Sequence, residues 1–581
     1  MMLLPLTEAV VRKFFAAGIP GAGTFVQHLT LVVAFLGAAL AAREGKLLAL
    51  ATGELMTGSR LSGSARILAG ATGAFAAALL CRAAFELVVS EREFGSELPL
   101  GVPVWLVQLV LPIAFLVIGV RLVMRSAESP GGRAVAVAGL VAGLLLGQFP
   151  GWLEGLPAWP GVALLLVAAV GGMPIFAVLG GAAVILFLAD GVPAAAVPAE
   201  TYRLTVSPTL PAIPLFTLAG FLLAKGEAAH RLLRVFRALF GWIPGGTAVV
   251  TALLCAFFTV FTGGSGVTIL ALGGLLFQAL REDRYRERFS LGLLTASGSL
   301  GLLFPPALPL ILYGIVAQVP IRDLFLGGMV PGLLMVALLA AWGVREGLQR
   351  RAGRERFAWG EAATAMWAAK WELLLPIVVL VSIFGGLATL VESAALAALY
   401  ALVSQRFIHR DIPSSRQLFG VFGECVVLVG GVLIILGVAM GFTSYLVDAQ
   451  VASSVVEWAQ GSIGSKIVFL LALNVFLLAV GCLMDIFSAI VVVVPLIVPL
   501  GVAFGVDPIH LGILFIANLE LGYLTPPVGL NLFLAAYRFE RPLLAIWRAA
   551  LVPLAILAVG VLAITYWPDL TLGPLEWIGR E

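Results

Sequence analysis

Charged residues are scarce in this sequence. Of its 581 residues only 12% are Asp, Glu, Lys or Arg, and 61% are hydrophobic; a soluble chain carries about 25% charge. A soluble protein could not hide so much apolar surface, because it has too few polar residues to cover it. Stretches 105–120 and 426–438 carry no charge, and many windows approach the ~20 apolar residues that cross a bilayer core of ~30 Å. Since lipid offers the backbone no hydrogen bonds, these stretches are predicted to be helices.

Several signatures are missing. Strand-like alternation of polar and apolar residues is absent, which argues against an outer-membrane barrel. Walker A, dinucleotide and metal-ligand motifs are also absent, so the chain is not expected to hydrolyse ATP. Each cysteine lies alone in an apolar run, without CxxC spacing. This favours a packing role over a disulfide framework or a metal site. The cysteines are Cys81, Cys255, Cys425 and Cys482.

One motif points toward an enzyme. Gly263–Gly266 reads GGSG and resembles the GxSG nucleophile motif of rhomboid intramembrane proteases, with Ser265 as the nucleophile. Such an enzyme needs a histidine base within the membrane. His230 and His409 are predicted to lie in loops, His28 belongs to an N-terminal unit, and His510 begins a span. We therefore predict that the chain is not an enzyme and keep the protease as a remote alternative.

The chain divides into three predicted regions. Residues 1–128 are predicted to form roughly three membrane spans and a separate structural unit. Residues 129–158 begin at a Pro-Gly-Gly turn and are predicted to form a connecting membrane helix and linker. Residues 159–581 form the larger part.

The larger part contains an internal repeat. Pro305-Pro306 and Pro526-Pro527 are offset by 526 − 305 = 221 residues, and the Gly-Phe pairs that begin at Gly220 and Gly441 have the same offset. Similar apolar helices alone rarely keep such an offset when the anchors are Gly and Pro. The first copy is predicted to span about 159–345 and the second about 371–575.

The charges of the loops indicate the orientation of the copies, because Lys and Arg favour cytoplasmic loops. Arg281–Arg288 is basic, whereas the matching Gly501–Pro508 has no Lys or Arg. Lys225–Arg237 is likewise a basic predicted loop, and its counterpart Val447–Ala459 has no basic residue. In the loops that follow the Pro-Pro pairs, the second copy is instead the more basic one. The copies are therefore predicted to be inverted, as in secondary transporters whose site lies where two broken helices meet.

Each copy has two predicted helix breaks. One is Gly-rich, at Thr262–Thr268 and Gly481–Ser488, and the other is the Pro-Pro pair. Proline ends a helix, and glycine permits the dihedrals of a break. A break in a membrane frees backbone groups that lipid cannot satisfy, so it is tolerated where it lines a cavity or binds something. Freed carbonyls suit Na⁺, and helix N-termini suit anions.

Side-chain oxygens accompany these breaks. Each of them could be a Na⁺ ligand or could hold helices together by hydrogen bonds, and for a single residue the two roles are about equally expected. Asp485 and Glu520 are carboxylates in apolar surroundings, where a charge costs at least ~2.5–3.5 kcal/mol, so they should be partnered or protonated. For Glu392 a structural hydrogen bond is as expected as a functional role. The oxygen-bearing residues are Ser265, Thr268, Ser297 and Ser299 in copy one, and Asp485, Ser488, Asn518, Thr525 and Asn531 in copy two.

The larger part resembles the large membrane subunit of the tripartite ATP-independent periplasmic (TRAP) transporters over about residues 160–575. Phe35–Glu44 (FLGAALAARE) resembles that family's small membrane subunit, so the resemblance implies a fusion of the two. The motifs that carry the first resemblance are Pro211–Phe216 (PAIPLF), Ile243–Gly246 (IPGG), Ser297–Pro306 (SGSLGLLFPP), Asp507–Gly512 (DPIHLG) and Leu521–Asn531 (LGYLTPPVGLN).

The resemblance implies an all-α polytopic inverted-repeat transporter with discontinuous helices and re-entrant hairpins, in the bacterial inner membrane. It implies Na⁺-coupled import of an organic acid, a carboxylate, that a periplasmic substrate-binding protein delivers, with an elevator-type motion. No nucleic-acid partner is expected, and the oligomeric state stays open, a monomer included. The implied substrate residues are Ser299, Glu520 and Asn531. The implied Na⁺ residues are Ser265, Gly266, Thr268, Ser297, Gly301, Pro305, Asp485, Asn518, Gly522, Thr525 and Pro526.

Two departures from the family pattern and two further alternatives accompany this interpretation. The first break has fewer hydroxyls than the family's, and the residues before Phe25 include Glu8, Arg12 and Lys13, so they are expected to lie along the membrane interface. A stand-alone Na⁺/carboxylate or ion symporter would need no fused small subunit. A membrane scaffold would show no Na⁺-dependent flux.

Overall fold

The computed structural model describes residues 1–50, 62–350 and 356–577. Residues 51–61, 351–355 and 578–581 lie outside the described part of the chain. Up to residue 205 the helices are α1 (Leu3–Phe15), α2 (Ala22–Glu44), α3 (Ser62–Phe94), α4 (Val104–Gln108), α5 (Val110–Ser126), α6 (Pro130–Gln148), α7 (Trp159–Val170), α8 (Ile175–Ala189) and α9 (Ala196–Thr205).

The rest of the chain is also helical. Short 3₁₀ segments cover Pro99–Gly101, Pro150–Trp152 and Leu300–Leu303, and a π-helical turn covers Ser404–Ile408. The helices are α10 (Ala212–Lys225), α11 (Ala228–Phe240), α12 (Gly246–Thr262), α13 (Ser265–Glu282), α14 (Glu287–Ser297), α15 (Leu308–Ala317), α16 (Ile321–Arg350), α17 (Trp359–Ala368), α18 (Lys370–Phe384), α19 (Leu390–Val403), α20 (Ser415–Asp448), α21 (Val451–Ser462), α22 (Lys466–Leu483), α23 (Ile486–Ala503), α24 (Pro508–Gly522), α25 (Leu530–Phe539), α26 (Leu543–Tyr566) and α27 (Asp569–Trp577).

The protein is an all-α polytopic membrane protein, as predicted. Within the described residues, ten helices are long and apolar enough to cross a membrane, and up to thirteen if each bent pair counts as one span. The bent pairs are α10 with α11 (77°), α14 and its 3₁₀ extension with α15 (47°), and α17 with α18 (68°). The described strands are β1 (Glu97–Leu98) and β2 (Val102–Pro103), which pair antiparallel.

The described helices form two compact units. The first comprises Met1–Pro214, Gly423–Val455 and Val491–Pro495, and the second comprises Leu215–Phe422, Val456–Ile490 and the chain from Leu496 onward. Sequence reasoning did not foresee this division, because each unit gathers segments that are distant in the chain.

Small residues pack the N-terminal helices of the first unit. Gly139, Gly143 and Gly147 follow one face of α6, one turn apart, and they lie against Ala71, Phe75 and Arg82 of α3. A Cβ at Gly147 would come within 2.9 Å of the Arg82 side chain. This spacing of small residues lets two membrane helices approach closely, and van der Waals contacts then stabilise the pair.

The first helix is short. At 13 residues α1 is about 20 Å long, less than the ~30 Å of a bilayer core, so it cannot span one alone. Phe14 and Phe15 are exposed, and Glu8 accepts a hydrogen bond from the backbone N–H of Ile19. The sequence expectation that this segment lies along the membrane interface stays a prediction.

The repeat is visible in the second unit. Helices α13 and α23 begin at Ser265 and Ile486, 221 residues apart, and α16 and α26 begin at Ile321 and Leu543, 222 residues apart. The contacts between copies are reciprocal. Helix α14 packs against α26, and their counterparts α24 and α16 also pack against each other. A two-fold axis produces such exchanged pairs, and inverted repeats have one in the membrane plane.

The loop prediction for Lys225–Arg237 is wrong for most of its length, and so is the placement of His230 in a loop. Residues 228–240 form α11, in which Leu232 and Val235 are buried. The arginines between these apolar residues leave an apolar stripe on one face, so the segment is an amphipathic helix. Its counterpart in copy two is α21 (Val451–Ser462), so the loop prediction for 447–459 is also wrong for most of its length.

Glu392 makes the structural hydrogen bond that the sequence left open. It lies in the first turn of α19, where its carboxylate accepts the backbone N–H of Thr389 at 2.8 Å. The Thr389 hydroxyl in turn accepts the N–H of Glu392 at 3.2 Å. This reciprocal capping box satisfies two backbone groups that the start of a helix leaves free.

Thr389→Ala is expected to lower the free energy of unfolding by about 1 kcal/mol, because the capping hydroxyl is lost. The measurement is the apparent melting temperature of the purified protein in detergent. Thr364→Ala is the control, since this exposed hydroxyl bonds only to Gly360 of its own helix. Equal melting temperatures for the two variants would contradict the capping role.

Candidate functional site

The first break separates α12 from α13. Gly263 has a φ of 66°, a conformation that costs L-residues energy, and a Cβ there would clash with Leu308. Glycine is therefore required on both counts. Ser265, which begins α13, is 3% exposed, and Gly266 packs against Leu534 of copy two. The break is thus enclosed by residues of both copies.

Threonine hydroxyls gather behind this break. Thr259 Oγ1 lies 2.7 Å from Thr268 Oγ1, 2.8 Å from the carbonyl oxygen of Gly298 and 2.8 Å from that of Cys255. Thr262 Oγ1 is 3.4 Å from Thr268 Oγ1. A hydroxyl has a single hydrogen, so the three short contacts of Thr259 share at most two hydrogens. The cluster therefore has more oxygen atoms than hydroxyl hydrogens to bridge them.

The Pro-Pro segment of copy one closes on the same cluster. Gly298 lies beside the carbonyl of Ser265, and Gly301 lies so close to α12 that a Cβ would come within 2.6 Å of the Cβ of Thr259. The buried Ser297 hydroxyl has no hydrogen-bond partner among the described residues. Ser299 donates to the Ala296 carbonyl at 3.4 Å. Pro305 follows the 3₁₀ segment, and its bond to Pro306 is cis.

The second break, between α22 and α23, is satisfied by its own side chains. Asp485 caps α23: one carboxylate oxygen accepts the N–H groups of Phe487 and Ser488 at 3.0 and 3.1 Å, and the other accepts the Ser488 hydroxyl. Tyr523, next to the Pro-Pro pair, accepts the N–H of Ile486 at 2.6 Å through its hydroxyl oxygen. Sequence reasoning did not single out Tyr523, although it lies inside the quoted motif Leu521–Asn531.

The remaining copy-two residues have different surroundings. The Asn518 amide donates to the side chain of Asn474 at 2.6 Å and to the Leu514 carbonyl at 2.9 Å, so its amide holds helices together. Thr525 donates to the carbonyl of Leu521 in the preceding turn. Gly522 packs against Gly481, and this contact corresponds to that of Gly301 with Val260 in copy one. Pro526 forms a cis peptide bond with Pro527.

Two predicted substrate residues carry buried polar atoms without hydrogen-bond partners in the described structure. These atoms are the two carboxylate oxygens of Glu520 and the side-chain oxygen of Asn531. The Asn531 amide donates to the Thr295 carbonyl of copy one at 3.2 Å, which ties the copies together. Buried polar groups are nearly always paired in native proteins, so these atoms call for a ligand, a proton or water.

The structure therefore brings together the predicted residues Ser265, Thr268 and Gly301 around the first break, and adds Thr259 and Gly298 to them. Sequence reasoning missed Thr259 because it lies inside a regular helix, one turn before the Gly-rich segment. Asp485 and Ser488 gather at the second break with Tyr523. Asn518 instead joins a separate polar network with Asn474.

The histidines bear on the protease alternative. Their described hydrogen bonds and ion pairs go to other groups and not to Ser265. His28 bonds to Tyr202, His230 to Glu227, His409 lies 3.5 Å from Glu372, and His510 bonds to Thr571.

Gly301→Ala and Gly522→Ala are each expected to destabilise the protein by about 1–3 kcal/mol, because the added methyl group overpacks a backbone contact. The comparison is the yield of monodisperse protein and its apparent melting temperature. Gly264→Ala is the matched control, since its φ is −147° and its Cβ would meet nothing within 4 Å. Equal behaviour of the three variants would contradict the close packing.

Comparison with known proteins identifies relatives of both regions. The family described as tripartite ATP-independent periplasmic transporter, DctM component, matches residues 162–570. The family described as tripartite ATP-independent periplasmic transporters, DctQ component, matches residues 1–129.

Two relatives found by sequence carry the name of the same transporter family. The isethionate TRAP transporter permease protein DctMQ of Oleidesulfovibrio alaskensis is 34% identical over 81% of this chain and 75% of its own length. The C4-dicarboxylate TRAP transporter large permease protein DctM of Pseudomonas aeruginosa is 33% identical over 69% of this chain and 94% of its own length. A solved structure of the Alcanivorax borkumensis YdaH transporter covers 61% of this chain and 85% of its own, at 15% identity and a TM-score of 0.43. The sequence relatives are permeases, which are transporters rather than enzymes. The chain belongs to the tripartite ATP-independent periplasmic transporter family, as a multi-pass protein of the bacterial inner membrane in which the small and large membrane components are fused.

Proposed function

We propose that the protein is a Na⁺-coupled importer of an organic acid anion, a carboxylate, that receives its substrate from a periplasmic substrate-binding protein. Membership of the family supports import. The observation that carries the Na⁺ coupling is the oxygen cluster of Thr259, Thr268 and Gly298 behind the first break, which has more oxygens than hydrogens to bridge them.

The copy-one cluster suits Na⁺ by its chemistry. Na⁺ binds hard oxygen ligands, and hydroxyl and carbonyl oxygens at a broken helix supply them without a net charge. Thr259 and Thr268 are 0% and 1% exposed, so a bound ion would exchange its water shell for these oxygens. The carbonyls of Gly266 and Gly301 and the hydroxyls of Ser265 and Ser297 are further proposed ligands of this site.

Copy two offers a charged ligand. Each carboxylate oxygen of Asp485 accepts hydrogen bonds within the cap, yet a carboxylate has about four lone-pair positions in all. A cation could therefore share Asp485 with the helix cap. Because the negative charge attracts a cation more strongly than neutral hydroxyls do, the two copies are proposed to bind Na⁺ with different strength.

The anion is proposed to bind at the helix N-termini that the breaks create, since their free N–H groups and helix dipole favour negative charge. The Ser299 hydroxyl can donate to such an anion. An ionised Glu520 would repel it, so Glu520 must be protonated or paired with a cation when the anion binds. The names of the relatives mention C4-dicarboxylates and isethionate, a sulfonate, so a test should cover both acid groups.

The elevator-type motion belongs to the same proposal. In such a mechanism the breaks carry the ions and the anion across the membrane together, which couples one flux to the other. Coupling requires that the protein moves when both Na⁺ and the anion are bound and when neither is bound. It must not move when only one of them is bound.

Thr268→Val is expected to raise the Na⁺ concentration for half-maximal uptake roughly tenfold, about 1.4 kcal/mol, because one ligand oxygen is replaced by a methyl group. The measurement is substrate uptake into proteoliposomes over a Na⁺ series, with the binding protein saturating. Thr251→Val is the matched control: this threonine is also buried, and within the described part of the chain its hydroxyl bonds only to Thr247 of its own helix. An unchanged Na⁺ requirement in Thr268→Val would remove Thr268 from the site.

Two variants of Asp485, in copy two, are tested in the same proteoliposome uptake assay. Asp485→Asn keeps an N-cap side chain but removes the charge, whereas Asp485→Ala removes both, so their difference separates the cap from ion binding. Weaker Na⁺ dependence, that is a higher Na⁺ concentration for half-maximal uptake, is expected in both. Normal Na⁺ dependence in Asp485→Asn would leave only the capping role.

Uptake is expected to require the cognate substrate-binding protein, since a permease of this family accepts substrate from it rather than from free solution. Proteoliposomes with an imposed Na⁺ gradient should accumulate little labelled substrate until that protein is added. Full activity with free substrate alone would instead support a stand-alone symporter, and no flux under either condition would support a scaffold.

A further inference from the structure

A buried ion cluster lies in the second unit, apart from the breaks. Its centre is the Arg231 guanidinium of α11, which donates to Glu372 Oε1 through Nε at 2.9 Å and Nη2 at 2.6 Å. Nη2 also donates to Asp411 Oδ2 at 2.7 Å and Nη1 to Asp411 Oδ1 at 3.3 Å. Gln405 joins from the π-helical turn, donating to Glu372 at 3.2 Å. We call these four residues the Arg231 cluster.

The Arg231 cluster is well shielded from solvent. The side chains of Arg231, Glu372 and Asp411 are 17%, 0% and 7% exposed. Burial would raise the pKa of Asp411, but the hydrogen bonds from Arg231 and from the Glu227 N–H outweigh it and hold that pKa below its ordinary value. Asp411 is therefore ionised at neutral pH, and removing either partner would leave a buried charge without compensation.

The Arg231 cluster fixes a bend in the chain. Helices α10 and α11 meet at 77°, and at the corner Asp411 accepts the backbone N–H of Glu227 at 2.8 Å. A Cβ at Gly226 would meet Gln405 and Asp411 Oδ2, so the corner backbone lies directly on the cluster. The ion pairs therefore set the angle at which α10 leaves the corner.

Helix α10 leads from this corner to the first break. Gly220, six residues before Gly226 and so about 9 Å along the helix axis, touches the backbone of Phe261 and Thr262 so closely that no Cβ fits. Thr262 ends α12, and Thr259 of the hydroxyl cluster lies one turn before it. A rigid helix thus connects the Arg231 cluster to the backbone that presents the proposed Na⁺ ligands.

We propose that Arg231 is a positioning residue for the first Na⁺ site: it holds the α10–α11 corner, and α10 in turn holds the break against which Gly220 packs. This inference rests on the proposed Na⁺ coupling. Lysine cannot replace the arginine, because a single ammonium group lacks the planar fork that reaches Glu372, Asp411 and Gln405 together. The role follows from contacts between residues up to 184 positions apart.

The test compares Arg231→Lys with Arg234→Lys, its exposed neighbour on the same helix, in proteoliposome uptake over a Na⁺ series. Arg231→Lys should raise the Na⁺ concentration for half-maximal uptake by about two- to thirtyfold, the range of coupling through packed elements. The half-maximal concentration of loaded binding protein should not change. A fall in maximal rate alone, with unchanged Na⁺ affinity, would overturn the positioning role. Asp411→Asn, which keeps the volume of the side chain, is expected to show the same selective effect if Arg231→Lys does not fold.

Hydrogen exchange provides a readout that does not depend on transport. In Arg231→Lys, but not in Arg234→Lys, exchange should increase both at the corner 224–229 and at the break 259–266. An increase confined to the corner would overturn the inference. If the wild-type protein shows no Na⁺-dependent uptake, the proposed function fails, whereas the exchange pattern still decides whether Arg231 positions the break.

Discussion

A break in a membrane helix leaves N–H and carbonyl groups that lipid cannot satisfy, and the second unit is organised around that requirement. Each copy of the repeat places its two breaks against each other in the interior: Gly301 packs on α12 and Gly522 packs on Gly481. At both places a side chain would separate the segments. The free backbone groups of one break therefore lie beside those of the other, where protein or a bound ion can satisfy them.

The two copies meet the requirement with different chemistry. In copy two a carboxylate and a phenol, from Asp485 and Tyr523, bind the free N–H groups of the break. In copy one the corresponding positions are Gly264 and Leu302, which offer no such groups, and threonine hydroxyls gather around carbonyl oxygens instead. The first break therefore has hydroxyl and carbonyl oxygens in short contact, and the second has a carboxyl group that caps a helix.

Outside the breaks, two buried polar networks connect helices that are distant in the chain. Asn474, Asn518 and Thr565 form one buried network, and Arg231 with its carboxylates forms another. Such groups are costly when unpaired in a low-dielectric interior, so each favours one arrangement of its helices. This explains why Asn518, although close to a break in sequence, directs its amide to a neighbouring helix.

The sequence alone determined the helical class, the positions of the breaks and the offset of the repeat. These follow from apolar run length, proline and glycine, which act within a few residues of the chain. It also drew attention to Glu520 and Asn531, whose buried side-chain oxygens have no hydrogen-bond partner among the described residues. Only the tertiary structure decided which oxygens meet. Thr259 approaches Gly298 across 39 residues and Arg231 approaches Asp411 across 180, and the charged stretch 228–240 is a helix because its apolar face is packed. Such contacts depend on how helices pack, and local periodicity does not contain that information.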